Sequence, residues 1–305
     1  MKNLNSYHFL KAYVYLIIAI LIWGSVPLVI KISSSSKELN INFFNFCRIF
    51  ITCISLKLMV FLFKIPVSFF YKTKIKIILI GIFTMGVYCH LFTLGVKYTS
   101  SSSAGLLSSL VSIWILFLNY ITKKSKPSLP SIIGSCISFL GLCLFFYNSL
   151  LIDTTDLYGN LLIIFGTFFF ALYNIISNKF KDQKINSLVF IYYIFIGTLI
   201  YLFTVLIFEY SFNKLDIPER LSVKNIILIL YIGIFGSALC YTFYNYSSNI
   251  LGNYKTSIFI NAVPIISLIL GINILGEAFS FLQIIASIII LFGIYIVNLS
   301  KDGSK

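Results

Sequence analysis

Residues 259–298 of this chain, FINAVPIISLILGINILGEAFSFLQIIASIIILFGIYIVN, repeat residues 107–146 at a constant spacing of 152. Val111 matches Val263, Ile113 matches Ile265, Leu116 matches Leu268 and Leu118 matches Leu270. Isoleucine and leucine recur by chance in so apolar a chain. The weight rests on Ser128 with Ser280, Ser135 with Ser287 and Gly141 with Gly293, all in one ungapped register. Each copy reads as two apolar helices joined by a short turn, with small residues along one stripe. Such a unit, repeated half a chain apart, marks a duplicated membrane bundle.

Of 305 residues, 59% are apolar and 10% charged, and the mean hydropathy is +0.98. A soluble domain carries roughly a quarter charged residues, so the solvent of this chain is lipid. The net charge of +14 does not mark a nucleic-acid binder, because the basic residues sit in short loops between apolar runs. The six cysteines all fall inside apolar runs and none has CxxC spacing. They read as small packing residues, and no disulfide framework, metal site or cofactor is expected. The first apolar run, about twenty residues, is too long for a cleavable signal and reads as a retained first span.

Ten spans are expected: Tyr13–Ile32, Asn42–Phe63, Ile75–Val96, Ser103–Ile121, Ser131–Tyr147, Gly159–Asn178, Leu188–Phe208, Asn225–Asn249, Thr256–Leu275 and Phe281–Asn298. The loops on the side of the N-terminus hold fifteen Lys and Arg, against six on the other side, which predicts both termini in the cytoplasm. Five spans per half is an odd number, so the second half enters the membrane inverted. The fold class expected is therefore an all-α polytopic membrane protein of ten transmembrane helices, built as two inverted five-helix repeats, 12–148 and 158–299. Inverted repeats are the architecture of alternating access in secondary transporters.

Several short motifs, in order, resemble the EamA-type members of the drug/metabolite transporter superfamily. They are Trp23-Gly24 followed by Lys31, Phe44 with Arg48, Ala262-Val263-Pro264, Leu275-Gly276-Glu277, and Ala286 with Gly293. The first repeat departs from the pattern at Ser112 and Ser125, and the second has Phe170-Ala171 where a Trp-Ala pair is common. The resemblance implies two five-span EamA-like repeats and transport of a small metabolite across the cell membrane, without naming the cargo. The expected partners are that metabolite, the bilayer and a coupling proton or cation, with a monomer or weak homodimer and no nucleic acid. A membrane-embedded enzyme is the competing class. It needs HExxH, GxSxG or paired carboxylates within the membrane, and the spans hold only Glu209 and Glu277 near helix ends. A scaffold or channel subunit without transport activity is the other alternative.

Polar and aromatic residues inside the spans are the candidate site. Trp23 of the first span corresponds to Phe170 of the sixth, where Tyr173 and Asn174 follow. Tyr88 and His90 lie in the third span, and Tyr241, Tyr244 and Asn245 lie at the matching place in the eighth. Asn261 completes the substrate-binding set from the ninth. Coupling or gating candidates are His90, Arg48, Glu277 and Pro264. His90 reads first as a hydrogen-bonded core histidine and second, with a reference pKa near 6.5, as a proton carrier. Arg48 reads as a packing arginine or as a bidentate donor to a carboxylate or phosphate. Aromatic walls with a few polar groups suit a partly apolar or cationic metabolite.

Overall fold

The computed structural model describes residues 2–35, 39–66, 71–122, 128–152, 154–181, 185–212, 221–251, 256, 259, 262–277 and 280–299. Every regular element among them is helical. In chain order they are α1 (Lys2–Ser34), α2 (Ile41–Leu62), α3 (Tyr71–Tyr98), α4 (Ser101–Ser108), α5 (Val111–Ile121) and α6 (Leu129–Ile152). The second half follows with α7 (Thr154–Lys181), α8 (Ser187–Ser211), α9 (Val223–Leu251), α10 (Ala262–Leu275) and α11 (Phe281–Leu299).

Six of these helices, α1, α2, α3, α7, α8 and α9, are long and apolar enough to cross a membrane. Shorter apolar helices, Ser101–Ile115, Leu129–Gly141, Ala262–Leu275 and Phe281–Gly293, stand where the fourth, fifth, ninth and tenth spans are expected. The fourth expected span is not continuous: α4 gives way to α5 at Ser109 and Leu110, whose N–H groups reach back only three residues, to Leu106 and Leu107 (3.1 Å each). The side chains left exposed are largely apolar, among them Phe61, Phe83, Phe203, Ile207 and Ile288. They face lipid, where no water is available for a polar group.

The same local device starts the second helix of each half. Asn40 Oδ1 accepts from the amides of Asn42 (2.8 Å) and Phe43 (3.1 Å), and Asn186 Oδ1 accepts from Leu188 N–H (2.9 Å). Each asparagine satisfies donors that an apolar helix start leaves without intrahelical partners.

Association of the helices rests on small residues, since lipid offers no hydrophobic drive between apolar surfaces. At the rim, α6 packs against α11 in a reciprocal contact. A Cβ on Gly141 would lie 2.8–2.9 Å from side-chain and backbone atoms of Ile290, and one on Gly293 would lie 2.5 Å from the Gly134 carbonyl. Ser138 Oγ donates to the Ile290 carbonyl at 3.2 Å. The repeated hairpin stripe is thus a helix-packing surface. Nearer the centre, Ser267 Oγ of α10 donates to the Gly24 carbonyl of α1 (2.7 Å). Gly95 of α3 and Gly159 of α7 each leave room for the other's carbonyl.

Buried hydroxyls turn back on their own helices. Thr52, Thr84, Thr198 and Ser247 each donate to the carbonyl four residues earlier, at 2.6–3.1 Å. Neither long helix of the third position in each half is α-wound throughout: Gly81–Gly86 in α3 and Tyr231–Leu239 in α9 are π-helical.

Candidate functional site

Four aromatic side chains from four helices meet at the centre of the molecule. Trp23 of α1 packs edge-on to Tyr241 of α9, centroids 5.2 Å apart at 70°, and Tyr88 of α3 lies 4.9 Å from Phe170 of α7. The two pairs are counterparts, since α1 and α7 open the two halves and α3 and α9 hold their third positions. A cross contact between Phe170 and Tyr241 (6.3 Å) joins them. The quartet therefore takes two rings from each half, from equivalent helices. Offset and edge-on ring packing of this kind is the favoured geometry of aromatic pairs.

The four rings wall a cavity of about 570 Å³, its open mouth included. Val26, Pro27 and Phe92 extend the wall on one side, and Ser108, Val111 and Val263 on the other. The lining is apolar apart from the Ser108 and tyrosine hydroxyls and the indole, and no charged side chain is among these residues. Trp23 is held rigidly, its Nε1 donating to the Gly236 carbonyl in the π-wound part of α9 (3.0 Å). Pro27 has no N–H to give the carbonyl four residues back, so the Trp23 carbonyl loses its intrahelical donor beside the cavity.

The other expected substrate-binding residues are distributed behind this wall. Tyr173 stacks on Phe170 (5.8 Å, 27°), and the Asn245 side chain reaches its hydroxyl. Tyr244 packs on the far side of Trp23 (5.3 Å). Asn174 and Asn245 spend an amide donor each on the carbonyls of Phe170 (2.9 Å) and Tyr241 (2.8 Å). Beyond them a smaller cavity of about 340 Å³, mouth included, is lined by Ser177, Ser187, Asn245 and Asn249 with Phe180 and Phe190. Asn245 lines this smaller space and reaches Tyr173, which stacks on Phe170 of the chamber wall, so these residues link the two spaces. Asn261 lies outside the described residues.

His90 is not in the cavity wall. Two residues along an α-helix turn the side chain by roughly 200°, so His90 and Tyr88 face opposite ways. Its ring stands edge-on to Tyr201 of α8 (6.0 Å, 84°), and its Nδ1 is buried without a hydrogen-bond partner.

Arg48 is buried between α2 and α3, 5% exposed. Its Nε donates to Asn45 Oδ1 (2.7 Å) and its Nη2 to Thr93 Oγ1 (3.1 Å), while Asn45 Nδ2 donates to the Cys89 carbonyl (3.0 Å). Both of these guanidinium contacts are to neutral groups.

Glu277 is far from the cavity, at the end of α10. Its Oε1 accepts from Ser101 N–H (2.6 Å) and its Oε2 from Ser102 N–H (3.0 Å) and the Ser102 hydroxyl. A carboxylate at a helix N-terminus meets both the free amides and the positive end of the helix dipole. Gly276, at φ +64°, turns the chain out of α10 and delivers Glu277 to α4. Pro264 is buried in α10, one residue after the cavity-lining Val263.

Phe92, Ser108 and Val111 are wall residues that the sequence does not single out. Phe92 carries a faint signal, four residues beyond Tyr88 and so on the same helix face, but apolar residues at that spacing are everywhere in this chain.

Apolar helices long enough to span a bilayer, packed around an aromatic chamber lined from both halves of the chain, define a multi-pass membrane protein of the transporter class. A sequence model of the EamA-like transporter family matches twice, over residues 10–147 and 157–299. The chain belongs to that family. It is 25% identical over 246 residues to an uncharacterized transporter, YyaM, of Bacillus subtilis, covering 77% of each chain. An uncharacterized transporter of Archaeoglobus fulgidus is 27% identical over 232 residues, covering 74% of this chain and 78% of that one. A WAT1-related chloroplastic protein of Arabidopsis thaliana shares 38% identity over 85 residues, 28% of this chain and 20% of that one. A solved crystal structure superposes with a TM-score of 0.65 over 94% of this chain and 97% of that one, at 15% identity, a likeness of fold.

Proposed function

We propose that the protein is a secondary active transporter that moves a small, amino-acid-like organic metabolite across the cytoplasmic membrane by alternating access, in export or exchange. Both termini lie in the cytoplasm on this reading, with the basic loops. The aromatic chamber, lined by rings from equivalent helices of both halves, carries the proposal. A site built from both repeats stands between their two halves, as alternating access in inverted-repeat transporters requires. The Trp23, Tyr88, Phe170 and Tyr241 rings suit an apolar or aromatic body. The buried Arg48, held by Thr93 of the same helix that carries Tyr88, makes a cargo with a carboxylate a better electrostatic match than a simple cation. Energy comes from an ion gradient or from the exchanged partner.

The test is counterflow in proteoliposomes of purified protein, with a panel of amino acids, their derivatives and other small metabolites. At least one amino-acid-like compound is expected to give saturable, trans-stimulated uptake. Trp23→Ala and Tyr241→Ala should each lower its kcat/KM by about tenfold or more, the equivalent of about 1.4 kcal/mol. A panel with neither counterflow nor thermal stabilisation, and no effect of either substitution, would remove the transport reading.

A further inference from the structure

The π-wound segments of α3 and α9 stand at equivalent places, and what touches them is equivalent too. Gly81 and Gly233 are separated by 152 residues (233 − 81), the spacing of the repeated hairpin. Each sits where its helix crosses the second helix of the opposite half. A Cβ on Gly81 would collide with the Ile194 carbonyl of α8, and one on Gly233 would lie 2.8 Å from the Arg48 carbonyl of α2. Ile194 and Arg48 are themselves 146 apart (194 − 48), the spacing of the helix-starting asparagines (186 − 40).

The same two carbonyls are held from behind by counterpart hydroxyls. Thr52 Oγ1 donates to the Arg48 carbonyl (2.8 Å) and Thr198 Oγ1 to the Ile194 carbonyl (3.1 Å). Thr52 also reaches across to the Gly233 carbonyl (3.0 Å). Both crossings are therefore backbone-on-backbone contacts, with glycine on one helix and a threonine-tethered carbonyl on the other.

Each crossing leads directly into the chamber. Tyr88 follows the last π residue of α3, Gly86, by two positions, and Tyr241 follows the last π residue of α9, Leu239, by two. A π turn holds more residues than an α turn, so lengthening or shortening it rotates every side chain beyond it. The crossings differ in detail: the π winding covers six residues in α3 and nine in α9, and Gly81 faces Gly197 of α8 where Gly233 meets Ile51 of α2.

We propose that Gly81, Gly233, Thr52 and Thr198 are positioning residues for transport. They form two pivots at which the π winding of one half lengthens as that of the other shortens, turning Tyr88 and Tyr241 as the chamber changes face. The proposal rests on the transport reading. It predicts something that a purely structural role does not: because the halves exchange states, equal damage at the two pivots biases the molecule in opposite directions.

The experiment needs no substrate. Single cysteines at Ser108, in the large chamber, and Ser177, in the smaller space lined by Asn245, are placed in a chain whose native cysteines are replaced. Their labelling rates with a membrane-impermeant thiol reagent are measured in oriented vesicles and expressed as a ratio. Gly81→Ala and Gly233→Ala are expected to move that ratio by about tenfold or more in opposite directions. If either glycine variant fails to insert, Thr52→Val and Thr198→Val, which keep the side-chain size and drop the hydroxyl, decide by the same criterion. Opposite shifts uphold the pivots whether or not a tested metabolite gives counterflow. Shifts of the same sign, or none in folded protein, overturn them even where counterflow succeeds.

Discussion

At the scale of single residues, the informative groups are those whose partners separate support from service. Glu277 has two amides and a hydroxyl for its carboxylate, all from the start of α4 and far from the chamber. Glu277→Ala should therefore cost about 1–2 kcal/mol of stability, the value of a well-placed helix cap with its dipole contribution. The expected result is a lower thermal midpoint in detergent with the transport KM unchanged; an unchanged midpoint would contradict the capping role. His90 faces Tyr201, away from the chamber. The pH profile of counterflow in His90→Gln should match that of the parent between about pH 5 and 8, the window in which an unperturbed histidine titrates. A flattened profile in the variant would instead make His90 the coupling group. The residue types were readable in the sequence, and their directions were not. Tyr88 and His90 look alike as polar groups in one span, and only the helix facing sends one into the chamber and the other against α8.

At the scale of elements, the spans follow from the apolar runs, because a lipid solvent leaves an isolated segment no alternative to the helix. The helix starts were equally local, set by Asn40 and Asn186. What the runs did not disclose is how the helices are wound. The break between α4 and α5 and the π segments of α3 and α9 arise where a neighbour crosses closely, and the glycines that permit them look like ordinary small residues. The rim pair α6 and α11 gives an element-scale prediction. Gly141→Leu or Gly293→Leu forces a branched side chain into a backbone contact and should lower the thermal midpoint and the yield of folded protein by separating the hairpins. The folded fraction should retain the parent KM, since neither helix lines the chamber. A shifted KM at unchanged stability would show the rim helices acting on the site.

At the scale of the whole molecule, the repeat spacing disclosed a duplicated chain, and the EamA-like family match covers the same two halves. Matching Trp23 to Phe170 also brought the correct helices to the centre, because any contact made by one half has a counterpart in the other. Periodicity, charge bias and duplication are carried by the chain itself, so the sequence alone determined the solvent, the helices and the repeat. Only the tertiary structure decided which aromatics share a chamber, that Tyr173, Tyr244 and Asn245 stand behind it, and that Arg48 is locked between α2 and α3. Those outcomes depend on helix rotation and on crossings a few ångströms apart. In a chain that is apolar on nearly every face, no sequence pattern specifies them; the close fit of glycine to a neighbouring backbone does.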